Sequence, residues 1–64
     1  MWNLTAIYTK LMQHIEDQIL ADRKYQEFYA AFQSRIQRGM DADKAQEEAM
    51  SEAGIADIFN PPEK

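Results

Sequence analysis

Residues 25–36 constrain this chain more than any other stretch. Tyr25, Phe28, Tyr29, Phe32 and Ile36 fall at i, i+3, i+4, i+7 and i+11, the spacing that gathers side chains on one face of an α-helix. No other segment carries so much apolar area at one consistent period. Whatever packs against this face decides the fold.

The length limits the answers. With 64 residues the chain is expected to form one helical domain spanning 1–64. A chain of this size buries only about 60% of the surface that its unfolded form exposes, so its core is marginal. Disulfides, a structural metal or oligomerisation are the usual remedies. There is no cysteine and only one histidine, so disulfide, thiolate and histidine-rich metal sites are not expected. Oligomerisation or a tightly packed helical core remains. Two glycines and two prolines are too few for a β-rich fold with many tight turns.

Three helices can be placed in order. The first is expected over 3–20, with Asn3 as N-cap and Trp2 folding over Ile7. Leu4, Tyr8, Leu11, Ile15 and Ile19 make its apolar stripe. The second is expected over 23–38, with the chain turning near 20–24 and Asp22 capping the new helix. A single helix over 3–38 would run about 54 Å at about 1.5 Å per residue, too long for so small a globule to cover. It would need a partner chain, which makes a long-helix homodimer the alternative. Arg35 and Arg38 suit the negative end of the second helix, and Gly39 suits the residue just past it. Asp41 opens a third helix over 42–53, with Met40 stapling onto Ala45 and with Asp43 and Gln46 as an alternative capping pair. Ala42, Ala45, Ala49 and Ala53 form a stripe that permits close helix approach. Gly54 ends this helix, with Ile55 touching Met50 as in a Schellman ending. An irregular tail completes the chain, in which Ile58 and Phe59 fold back and Pro61-Pro62 stops any helix. The expected fold is therefore all-α: an antiparallel helical hairpin, a short third helix and an irregular C-terminal tail.

Charge is unevenly distributed over the net −4: residues 1–20 sum to −1, residues 21–39 to +2 and residues 40–64 to −5. An acidic chain makes a poor general nucleic-acid binder, so direct nucleic-acid binding is not expected. No basic, apolar leader and no membrane-spanning run is visible, which makes a cytoplasmic protein the default.

Chemistry-bearing motifs are sparse. His14 has neither Glu16 nor Asp17 at the spacing that would share its helix face. There is no Gly-x-Ser-x-Gly and no phosphate-binding loop. No catalytic residue, metal ligand or cofactor is expected, and the chain reads as a non-enzyme. Asp41, Asp43 and Glu52 match the first, third and twelfth positions of a calcium loop, but Ala45 and Gln46 stand where a ligand and the glycine belong. Helix capping explains the aspartates better. Residues 45–55 have the outline of the first helix and turn of a helix-turn-helix. The segment between Ile55 and Pro61 is too short and too poor in basic residues for a recognition helix.

Two surfaces remain. The aromatic face of Tyr25, Phe28, Tyr29, Phe32 and Ile36 looks oversized for a core strip, and tyrosine favours half-wet interface positions. Tyr25 and Tyr29 are the rings expected to stay exposed. The main expectation is a small protein-binding regulator that acts through this face and self-associates as a homodimer. Asp41, Asp43, Glu47, Glu48 and Glu52 supply the alternative, an acidic helix that mimics a phosphate backbone and modulates a nucleic-acid-binding protein.

Overall fold

The structure, a computed structural model, describes residues 3–59, and among these it is all-helical. The helices are α1 (Leu4–His14), α2 (Gln18–Gln37), α3 (Ala42–Glu52) and the single turn α4 (Ala56–Phe59). The packing of Trp2 over Ile7 and the stop at Pro61 and Pro62 lie outside the described residues.

The turn between α1 and α2 comes earlier than the sequence suggests. Asn3 caps α1 as expected, its Oδ1 accepting from the Thr5 amide at 2.7 Å. The helix then stops at His14, and Ile15 is extended (φ −110°, ψ 115°). Asp17 starts α2 by accepting from the amides of Ile19 and Leu20 at 3.0 and 3.2 Å. Asp22, expected to be that cap, lies inside α2 and accepts from the Gln26 side-chain amide at 3.2 Å. The physical reason is phase. A helix that begins after Asp17 carries Ala21 onto the same face as Phe28 and Phe32, and Ala21 is fully buried. A continuous helix through the first 38 residues does not form, because the chain reverses over residues 15–17.

The reversal also changes what α1 contributes. Ile7 and Leu11 are fully buried, with Leu4 and Ile15 packed beside them. Ile19, read from sequence as the end of this stripe, belongs to α2 and is 75% exposed.

Helices α2 and α3 end in the same device. Gly39 (φ +88°) takes the left-handed conformation after α2, where its amide donates to Ile36 O and that of Met40 donates to Arg35 O. Gly54 (φ +74°) does so after α3, with Gly54 donating to Ser51 O and Ile55 to Met50 O. These paired bonds are the Schellman pattern, and glycine supplies the positive φ without a Cβ penalty. Each ending also turns an apolar residue inward: Met40 packs against the core, and Ile55 is buried beside Met50. Asp41 then caps α3 through the Lys44 amide, and Gln46, the second member of the alternative capping pair, is buried.

In this arrangement α2 is the central helix, packed on one side by α1 and on the other by α3, with α4 against α3. Phe28 and Phe32 stack in the middle at 5.8 Å. They meet Ile7 and Leu11 from α1, Ala45, Ala49, Met50 and Ala53 from the α3 side, and Ile55 and Phe59 from the segment after α3. Full burial of a phenylalanine contributes about 1.5–3 kcal/mol. Among the described residues no helix is long and apolar enough to cross a membrane.

Candidate protein-binding surface

The aromatic face of α2 divides between the core and the surface. Phe28 and Phe32 are 0% and 7% exposed and belong to the core. Tyr25 is half-buried, while Tyr29 and Ile36 are 41% and 36% exposed. Tyr25 is the ring that joins the two parts. It lies 6.3 Å from Phe28, stacks on Tyr29 at 6.1 Å (19° between planes), and meets Tyr8 edge-to-face at 5.1 Å (80°). Offset-stacked and edge-to-face pairs of this kind are favourable beyond simple area burial. The result is a continuous ring array that starts in the core and emerges at Tyr8 and Tyr29.

Tyr8 is the residue that sequence reasoning placed differently. It falls in the apolar stripe of α1, yet it is 37% exposed. Its place at the emerging end of the array comes from contact with Tyr25, which no spacing within α1 reveals. Thr5 and Met12, three before and four after Tyr8, extend its side of α1.

Charge separates cleanly around α2. At about 100° per residue, Gln18, Ile19, Asp22, Gln26, Tyr29, Gln33, Ile36 and Gln37 lie within about 120° of Tyr25 on the side away from α3. The only charged residue in that group is Asp22, whose carboxylate is held by Gln26. Arg23, Lys24, Glu27, Arg35 and Arg38 fall on the other side of the helix. One flank of α2 is thus tyrosine, isoleucine and glutamine. The other is ionic.

The five carboxylates expected to form an acidic surface do not share a face. Asp41 is the cap of α3. Glu48 and Glu52 turn toward α2 and bind Arg35, at 3.3 Å to Nε and 2.6 Å to Nη2. Arg35 Nη1 also donates to Ala31 O at 3.1 Å, so the guanidinium uses three donors on two helices. The hydrogen bond to Glu52 raises the Arg35 pKa above its ordinary value, with Glu48 adding to it against partial desolvation. Asp43 and Glu47 project from a different side of α3, roughly 200–240° round the helix from Asp41. Because Ala42–Glu52 is helical from its first turn, Asp41, Asp43 and Glu52 cannot wrap a cation as a loop would. Among the described residues no three His, Cys, Asp or Glu side chains gather as a metal-ion site. His14 is exposed in the last turn of α1.

Two shallow grooves flank the ionic side. One, of about 550 Å³, runs between α2 and α3 over Ala30, Ala31 and Ala53, with Ser34, Arg35 and Arg38 at its rim. The other, of about 500 Å³, lies on the outside of α2 between Ile19 and Ala30. Glu27 and Glu52 also line the first groove, and Glu52 is held there by Arg35.

No known family model, curated protein or solved structure matches this chain.

Proposed function

We propose that this chain is a small, non-enzymatic, cytoplasmic regulator that works by binding protein through the outer aromatic flank of α2. The observation that carries the reading is the ring array itself. Tyr25 anchors in the core, and its neighbours Tyr8 and Tyr29 present ring area at the surface beside Ile36. Rigid aromatic anchors on a helix lose little conformational freedom on docking, which is why such residues dominate binding surfaces.

The second reading, α3 as an acidic decoy for a nucleic-acid-binding protein, has less in its support. Two of its carboxylates are engaged by Arg35 within the molecule. Displacing them would cost the ion pairs of Arg35 that bridge α2 and α3.

A photo-reactive phenylalanine analogue placed at position 29 or at position 47 separates these readings. Adducts from position 29 that persist from about 0.1 M to about 1 M salt are the expected result, since apolar contacts are little screened. Adducts from position 47 alone, lost in high salt, would replace the aromatic reading with the acidic one.

A further inference from the structure

We infer that the occupant of the aromatic flank is a second copy of this chain, with the two α2 helices antiparallel about a two-fold axis between Tyr29 and Gln33. The inference rests on the protein-binding reading of that flank and names its partner.

An isologous contact sets a surface against itself, so that surface must be complementary to its own chemistry. The Tyr29 flank meets this condition. Its polar groups on α2 are tyrosine hydroxyls and glutamine amides, each both a donor and an acceptor, so a group can pair with its own kind. The opposite flank does not. There α2 carries Arg23, Lys24, Arg35 and Arg38 against Glu27, with Arg35 bound to Glu48 and Glu52 of α3. Two copies meeting on that side would have to desolvate these charges and their ion pairs.

The register is set by the one carboxylate. With the axis between residues 29 and 33, Tyr29 lies opposite the second copy's Gln33, Ile36 opposite its Gln26, and Tyr25 opposite its Gln37. Asp22 then falls opposite its Met40, past Gln37, the last residue of the facing helix. A register centred on Tyr29 would instead drive Asp22 against Ile36. The net charge adds a signature. Two copies at −4 each repel at a distance, while the contact contains no ion pairs to weaken. Added salt should therefore strengthen association or leave it unchanged.

The test uses the full chain and its lack of native cysteine. Sedimentation equilibrium at high micromolar concentration should show a dimer that tightens or holds with salt. Tyr29→Glu should weaken it about tenfold or more, the size of losing an anchor residue. Gln33→Lys, outside the buried core, repeats the test should Tyr29→Glu prove poorly folded. A short bis-maleimide should join two copies through Gln33→Cys and not through Glu47→Cys. A strictly monomeric chain overturns self-docking and leaves the flank to a different protein. A dimer that survives Tyr29→Glu and Gln33→Lys but dissociates with Arg38→Glu overturns the reading of the flank as the binding surface.

Discussion

The two sides of α2 are closed by different chemistry. Against α3 the seam is made of alanines: Ala45, Ala49 and Ala53 are buried, so the helices approach closely and little apolar area is left at the edge. The Arg35 fork to Glu48 and Glu52 bridges the two helices beside the groove over Ala30, Ala31 and Ala53. Against α1 the seam is made of rings, and rings are too large to be covered by an eleven-residue helix. Tyr8 and Tyr29 emerge as the remainder. The seam of small residues leaves a groove rimmed by charge, whereas the seam of large ones leaves ring area at the surface.

The largest test of that contrast is Phe28→Ala, at the point where both seams meet. A fully buried phenylalanine replaced by alanine costs about 3–5 kcal/mol. A chain of this length has about 3–10 kcal/mol in all. Circular dichroism in a urea titration should find the variant largely unfolded or close to it; an unchanged midpoint would mean that Phe28 is not the shared centre. Next comes Leu11→Ala on the α1 side, with an expected loss of about 2–5 kcal/mol. Its counterpart on the α3 side is an enlargement, Ala49→Leu, which should cost about 1–3 kcal/mol by forcing the helices apart. If Ala49→Leu stabilised the fold, the alanine seam would be loose rather than closed.

Asp17→Ala sharpens where the α1 side begins. Loss of an N-cap of this type costs about 1 kcal/mol, within about 0.5–2. Asp22→Ala should cost only a few tenths, because it removes one exposed i,i+4 contact. The reverse ranking in thermal melts would move the turn back to residues 20–24. Arg35→Gln should give a modest drop in melting temperature that shrinks as salt rises. A drop that salt leaves untouched would show that Arg35 acts by packing and not by charge.

Much of this architecture was legible in the residues. The all-helical class, the caps at Asn3 and Asp41, and both glycine endings come from local chemistry that distant contacts do not override. The first turn was not legible to the same degree, because Asp17 and Asp22 are equal as caps when each is judged alone. Only the burial of Ala21 decides between them, and a lone alanine in a periodic stripe is a quiet signal. The two ends of Arg35 are similar. Its place in the last turn of α2 suits the helix dipole, so nothing local demands that it reach Glu48 and Glu52 on the next helix. For the binding surface, Tyr29 could be found by asking which rings the small core cannot cover. The same question reaches Tyr8, although its pairing with Tyr25 on the next helix leaves no sign in the spacing of α1.

The central position of α2 has a further consequence, for the order in which the molecule assembles. Its two principal contacts are with the helix just before it and the helix just after it in sequence. Each requires closing only a short loop, so little chain entropy is lost before contacts form. Folding can therefore start from either end of the same helix, with α1 and α3 as alternative first arrivals. Substitutions confined to one seam should divert traffic to the other route before they slow the overall rate.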